Sequence, residues 1–211
     1  MQNYVITIAR GYGSGGKTIG KQLAQELKIP YYDKELLRRA SDESGINEAL
    51  FAQTDEQLKK RPMLFKPSKR AYTGEVISPE SSDFTSEQNL FNYQAKVIKD
   101  IAQTETCVIV GRCADFVLKD MPHVLRLFIH APFDYCVEKT MERHIGMSKD
   151  EAIRFIRKTD KRRGEYYRYF TGHDWQDANN YDLCINSSQL GWDKCIALVR
   201  SYLEIKLGHP V

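Results

Sequence analysis

The chain has 211 residues, of which 42% are hydrophobic, and its formal net charge at pH 7 is +3. This length suits a single domain with a core, and so small a net charge gives no overall case for nucleic-acid binding. No apolar run approaches the roughly 20 residues that a membrane span needs, no signal peptide is visible, and the 5 widely spaced cysteines favour free thiols in a reducing compartment. We therefore expect a cytoplasmic protein that binds neither nucleic acid nor membrane.

The first predicted element is a strand over residues 4–9, which is apolar and rich in β-branched residues. Residues 11–18, GYGSGGKT, follow it and satisfy the pattern G-x-x-x-x-G-K-[ST] of a phosphate-binding P-loop, or Walker A motif. Beyond the loop, Ile19, Leu23 and Leu27 recur at helical spacing. A chance match in a glycine-rich turn is the alternative. The flanking strand and helix count against it, because a helix N-terminus favours an anion.

The P-loop motif predicts an ATP site, because backbone N–H groups can surround a triphosphate only where no side chains intervene. Lys17 can reach the β- and γ-phosphate oxygens, and the Thr18 hydroxyl can ligate Mg²⁺. The predicted cofactors are therefore ATP and Mg²⁺. The predicted nucleotide-binding residues are Gly11, Gly13, Ser14, Gly15, Gly16, Lys17 and Thr18.

Residues 29–33 read as a short second strand that ends in Asp33, and a helix carrying Leu36, Leu37 and Ala40 follows. Ligands of an open parallel sheet bind beyond the carboxyl ends of its strands, so we expect Asp33 beside the P-loop. Asp33 can orient a Mg²⁺-bound water or accept a proton from an attacking hydroxyl. It can also simply cap the next helix, and the sequence leaves both roles open.

Residues 55–87 carry few apolar residues and many turn formers, which predicts a mobile insert on the acceptor side. From Asn89 the pattern becomes helical, and the strand at 107–110 then leads into Gly111-Arg112. An arginine at the carboxyl end of a strand can present its planar fork to a phosphate. A surface salt bridge is the alternative role for Arg112.

A strand at 124–129 and a helix from Pro132 to about Arg143 come next, followed by a capping box at 148–151. The helix that this box opens runs into a basic segment, and we expect a lid over about 148–175 carrying Arg157 and Arg162. A strand at 181–186 and a closing helix complete the chain. Strands that alternate with helices predict an α/β P-loop NTPase fold: one domain, 1–211, with a parallel sheet flanked by helices on both faces.

In order and spacing, these segments resemble the cytidylate kinase-like proteins, a branch of the nucleoside monophosphate kinases with a P-loop fold. The resemblance covers nearly the whole chain except 55–87, and it rests on the P-loop and on residues 31–33, 108–112, 160–167 and 181–186. It implies ATP- and Mg²⁺-dependent phosphoryl transfer to a nucleoside monophosphate or a similar small, anionic metabolite. Asp33 and Arg39 fill the positions that contact the nucleotide acceptor in that family, and Arg112 fills that of an arginine that touches the monophosphate.

The chain departs from the family pattern at three positions that bear on the acceptor. Val110 and Cys113 stand where carboxylates flank the Gly-Arg pair, and Arg163 stands where a ribose-binding aspartate is expected. The leading hypothesis is a kinase whose catalytic residues are Lys17, Asp33, Arg157 and Arg162, and the resemblance supports phosphoryl transfer from ATP. The missing carboxylates motivate an alternative, a catalytically silent ATP-binding sensor or regulatory protein. The sequence predicts neither the acceptor's identity nor the oligomeric state.

Overall fold

A computed structural model of the chain describes residues 3–57 and 74–211. Its strands form one parallel, 5-stranded sheet in the order β2-β3-β1-β4-β5. The parallel sheet that the sequence predicted is therefore confirmed. The strands are β1 (Val5–Arg10), β2 (Tyr31–Tyr32), β3 (Cys107–Val110), β4 (Val124–His130) and β5 (Leu183–Asn186).

Helices connect the strands and cover both faces of the sheet. None of those within the described ranges has both the length and the apolar character that crossing a membrane requires. The helices are α1 (Gly16–Leu27), α2 (Glu35–Ser44), α3 (Glu48–Gln57), α4 (Glu87–Thr104), α5 (Ala114–Val117), α6 (Phe133–Arg143), α7 (Lys149–Thr171), α8 (Ser187–Leu190) and α9 (Trp192–Leu207).

The alternation of side chains along β1 divides the core into two layers. Ile6 and Ile8 pack with residues of α1 and α9 on one face. Val5 and Ala9 join a second cluster, on the other face, that α4 and the C-terminal part of α7 complete. Successive side chains of a strand point to opposite faces of the sheet. Because β1 is apolar on both faces, helices must cover both faces of the sheet.

The loop after each parallel strand leaves from the same edge of the sheet, and this edge carries the candidate site. The P-loop follows β1, Asp33 follows β2, and Gly111 follows β3. Helix α7 reaches the same edge through Asp160, which bonds to Tyr12 of the loop. The topology therefore gathers residues that are far apart in the sequence.

The helices differ from the predicted ones in four places. Helix α7 continues without a break through Gly164, and α3, α5 and α8 had no predicted counterpart. Of the predicted insert at 55–87, residues 58–73 lie outside the described residues. The described part nearest α4 is tied to it by the buried Asn89, whose amide accepts from the Ile77 N–H at 2.7 Å and donates to the Phe84 carbonyl at 2.7 Å.

Candidate active site

The P-loop has a backbone that only glycine can supply at two positions. Gly13 and Gly15 have φ values of 83° and 80°, which lie in the left-handed region that side chains disfavour. The space around Gly13 is also closed, because a Cβ there would lie 2.5 Å from the carbonyl oxygen of Cys136 on α6. The loop is therefore held in one shape by both its own torsions and its neighbours.

Ser14 anchors the loop rather than offering its hydroxyl to a ligand. The buried Ser14 Oγ donates to the carbonyls of Gly11 at 2.9 Å and Ile129 at 3.0 Å. The Ser187 hydroxyl in turn donates to the Ser14 carbonyl at 2.7 Å. Ser14 can thus contribute only its backbone N–H to a bound phosphate.

The backbone N–H groups from Gly13 to Thr18 make no hydrogen bond to any residue within 3–57 or 74–211. They surround the N-terminus of α1, where the helix dipole also favours negative charge. Such an array of free donors in a glycine-rich loop is the arrangement that binds phosphate oxygens. The P-loop predicted from the sequence therefore has the local structure that phosphate binding requires.

Lys17 and Asp33 meet directly in front of this loop. The Lys17 Nζ lies 2.6 Å from Asp33 Oδ2, and the side chains are 47% and 13% exposed. Lys17 projects from the first turn of α1, and Asp33 follows the last residue of β2. The structure thus brings together the two residues that the sequence placed at the same sheet edge.

The end of β3 forms the opposite wall of the site in an unusual backbone conformation. Gly111, Arg112 and Cys113 all have positive φ values, of 79°, 61° and 53°. For a residue other than glycine, this region costs about 1–2 kcal/mol, and strain of this kind tends to cluster at functional sites. The turn directs the chain from β3 into α5 beside the P-loop.

The carboxylate nearest this turn comes from Asp115, which the sequence reading did not identify. Asp115 is 3% exposed, and its Oδ2 accepts a hydrogen bond from the Tyr167 hydroxyl of α7 at 2.6 Å. Burial raises the pKa of Asp115 to about 6, although the Tyr167 hydrogen bond opposes the shift. Val110 and Cys113, where the family pattern has carboxylates, are buried.

Helix α7 is tied to the P-loop by a carboxylate and a guanidinium. Asp160 accepts from the Tyr12 backbone N–H at 2.9 and 3.1 Å. Arg163 donates to the Arg10 carbonyl and to Asp160, both at 3.1 Å. Burial raises the pKa of Asp160 and lowers that of Arg163. The predicted lid is therefore in contact with the loop.

One cavity of about 820 Å³ unites most of the predicted residues. Its lining includes the P-loop residues except Ser14, and also Asp33, Arg112 and Arg162. Arg157 is outside this lining, with its guanidinium 5.5 Å from the Phe133 ring centre. Arg39 is also outside it, and donates to the Tyr32 hydroxyl at 2.9 Å beside Glu105. Their sequence-based roles stay predictions.

Several lining residues were not identified from the sequence. Arg10 directly follows the first predicted strand, so its place at the carboxyl edge was available as a signal. Asp115 offered no comparable signal, because its partner Tyr167 is distant in sequence. Lys139 and Arg143 of α6 also belong to the lining, together with Glu142, whose carboxylate accepts from Lys139 at 2.7 Å.

A divalent cation fits this site only together with a phosphate ligand. No group of three or more His, Cys, Asp or Glu side chains that could hold a metal occurs in the described part of the chain. Thr18 lies in the first turn of α1, next to the free N–H groups, and lines the same cavity as Asp33. A threonine hydroxyl combined with phosphate oxygens is how a P-loop holds Mg²⁺, and the residues present fit that arrangement.

The parallel sheet and the loop between β1 and α1 define a P-loop NTPase fold. The model of the cytidylate kinase-like family matches residues 5–189. The chain therefore belongs to the cytidylate kinase-like family, which confirms the resemblance.

Curated relatives agree with this membership. The chain is 25% identical over 206 residues to a cytidylate kinase of Methanosarcina barkeri, covering 96% of this chain and 98% of the relative. It is 22% identical over 209 residues to a cytidylate kinase of Methanopyrus kandleri, covering 95% and 93%.

An uncharacterized protein from Eubacterium ventriosum has a similar solved structure, with a TM-score of 0.69, 27% identity, and coverage of 96% of this chain and 99% of that one. Shikimate kinase from Bacteroides thetaiotaomicron shares the fold, at a TM-score of 0.53 and 15% identity, with coverage of 95% and 98%.

Proposed function

We propose that this protein transfers the γ-phosphoryl group of ATP, with Mg²⁺, to a nucleoside monophosphate or a similar small anionic metabolite. One observation carries the proposal: the free N–H groups of the P-loop and Lys17 face the same cavity as Arg112 and Arg162. A donor site and anion-binding side chains that share one cavity are what phosphoryl transfer requires, because catalysis there is mostly positioning and charge stabilisation.

The donor half of the site binds the triphosphate. The backbone N–H groups from Gly13 to Thr18 donate to its phosphate oxygens, and Lys17 contacts the β- and γ-phosphates. When bound through Thr18, Mg²⁺ neutralises negative charge on those phosphates. Lys17 exchanges its present partner Asp33 for the phosphates, which releases the Asp33 carboxylate toward the acceptor.

The acceptor half lies at the ends of β2 and β3. Arg112 binds the negative charge of the acceptor, because a guanidinium fork suits a phosphate. Asp33 then orients the acceptor, or accepts its proton if the attacking group is a hydroxyl. Since Val110 and Cys113 supply no carboxylate, we propose an acceptor class broader than cytidine monophosphate.

The lid that covers both halves comes from α7. Arg162 reaches the cavity from the segment that Asp160 holds against the P-loop. A cation at this position stabilises charge on the transferring phosphoryl group, and the closed lid excludes water that would otherwise hydrolyse ATP. We place Arg162 in this role ahead of Arg157, because Arg162 lines the cavity.

A coupled ADP-release assay with ATP and Mg²⁺ tests this proposal. The acceptor panel contains CMP, dCMP, UMP, AMP and several phosphate-bearing or hydroxylated metabolites. Turnover on CMP indicates that the residues Cys113 and Arg163 are compatible with a cytidylate kinase, and turnover on another acceptor indicates redirected specificity. Bound ATP without turnover on any acceptor contradicts the proposal and favours the regulatory alternative.

A further inference from the structure

Arg10 occupies the last position of β1 and points along the floor of the cavity. Its side chain passes under the P-loop, since a Cβ added to Gly16 would lie 2.6 Å from the Arg10 Cβ. Its guanidinium reaches the end of β3, where a Cβ on Gly111 would collide with Nη1. Both glycines therefore make room for this one arginine, whose charged end lies on the acceptor side.

Within the described part of the chain, the Arg10 guanidinium has no partner. It makes no ion pair or hydrogen bond with the residues at 3–57 and 74–211, and its buried Nε lacks an acceptor. The two nearby carboxylates are already engaged, because Asp33 binds Lys17 and Asp160 binds Tyr12 and Arg163. A buried donor without a partner costs free energy, and a charged donor costs more.

The charges around Arg10 are mainly positive. Burial, together with the neighbouring Arg163 and Arg112, lowers the pKa of Arg10 to about 10, although Asp33 opposes the shift. Arg10 stays protonated at neutral pH even so. An unpaired guanidinium that lies beside two further arginines favours an anion with more than one negative charge.

From this geometry we propose that Arg10 binds the dianionic phosphate group of the acceptor, through its guanidinium fork. The inference rests on the proposed function, and it narrows the acceptor to a phosphate monoester rather than a monocarboxylate. A guanidinium binds phosphate through two parallel hydrogen bonds, which a lysine in the same place cannot reproduce. The ligand thereby supplies the partner that Arg10 lacks in the protein.

The test measures phosphate binding after the triphosphate positions have been filled. The protein is first saturated with Mg²⁺ and the imido analogue of ATP, and inorganic phosphate is then titrated by calorimetry at pH 8. We expect wild type to bind phosphate, Arg10→Gln to bind it at least tenfold more weakly, and Arg10→Lys to lie between. Arg38→Gln is the matched control, because Arg38 is exposed on α2 and outside the cavity.

Two further measurements, nucleotide affinity and melting temperature, distinguish failure of this inference from failure of the proposed function. Affinity for the imido analogue is expected to be the same in wild type and Arg10→Gln, and failure of wild type to bind it contradicts the proposed function and this inference together. Phosphate binding by Arg10→Gln at wild-type strength, or none by loaded wild type, overturns the inference alone. The melting temperature of ligand-free Arg10→Gln is expected to equal or exceed that of wild type, and a large fall assigns Arg10 a structural role instead.

Discussion

At the scale of single residues, Lys17 is the side chain whose removal is expected to cost most. It is the only charged residue of the P-loop, and Asp33 holds it in front of the free N–H groups. Losing a positive charge that contacts the transferring group typically costs on the order of 10²-fold or more in rate. We therefore expect Lys17→Ala to lower kcat by at least that factor, in an ADP-release assay, while the circular dichroism spectrum stays unchanged.

Lys21 provides the control for this substitution. It lies four residues further along α1 and is exposed outside the cavity, so that Lys21→Ala removes the same charge from the same helix. We expect it to retain turnover within about twofold, as surface substitutions usually do. Wild-type turnover by folded Lys17→Ala would contradict the role of Lys17.

Asp115 predicts a pH dependence of stability. Burial raises its pKa from 3.8 to about 6, so the folded protein holds this proton more tightly than the unfolded chain does. The resulting stabilisation is present below the unfolded pKa and is lost as the pH rises through about 6. Asp115→Asn removes this pH-dependent loss of stability, because an amide does not titrate in this range, and it keeps an acceptor for the Tyr167 hydroxyl.

The measurement is urea unfolding of wild type and Asp115→Asn at pH 4 and pH 7. We expect the free energy of unfolding of the variant, relative to wild type, to rise by on the order of 2 kcal/mol between these values, since one pKa unit corresponds to about 1.4 kcal/mol. The exposed Asp120 serves as the control, and Asp120→Asn should show little change. An equal difference at both pH values would show that Asp115 is not the group responsible.

At the scale of secondary-structure elements, α7 provides a comparison between two arginines of one helix. Arg162 lines the cavity, whereas the Arg157 guanidinium lies near the Phe133 ring outside it. We expect Arg162→Ala to lower kcat by roughly 10- to 100-fold, because it removes a cation from the reacting phosphates. Arg157→Ala should change kcat less than threefold. A larger loss from Arg157→Ala than from Arg162→Ala, with both variants folded, would reverse the assignment.

The elements also show which features local sequence can predict. The capping box predicted at 148–151 is confirmed, because Ser148 accepts from the Glu151 N–H and the Glu151 carboxylate accepts in return. The continuation of α7 through Gly164 was not predictable, because glycine ordinarily weakens a helix. There, Trp175 packs so close that a Cβ on Gly164 would lie 2.9 Å from its Nε1. Contact with Trp175 thus explains why position 164 is a glycine.

At the scale of the whole molecule, too, local sequence predicts some parts of the site and misses others. The donor half could be predicted because its residues are contiguous, from the strand through the P-loop to α1. Asp33 and Arg112 of the acceptor half could also be predicted, because each follows the end of a predicted strand. The parts that were missed depend on contacts between distant segments, such as Asp160 with Tyr12 and Tyr167 with Asp115. Such contacts leave no periodic or spacing signal in one sequence. Arg10 is intermediate, since its place at the end of β1 was predictable but its lack of a partner was not.

The fold as a whole joins a nucleotide loop, an arginine-rich acceptor wall and a lid at one sheet edge, and the central claim is that these parts transfer phosphate. The most direct measurement follows the γ-phosphate itself: wild type and Lys17→Ala are incubated with γ-³²P-labelled ATP, Mg²⁺ and the acceptor panel, and the products are separated. We expect label in an organic phosphate that forms with wild type, requires Mg²⁺ and is absent with Lys17→Ala. Label that remains in ATP, or appears only as inorganic phosphate while ATP binding is intact, would contradict phosphoryl transfer to an acceptor.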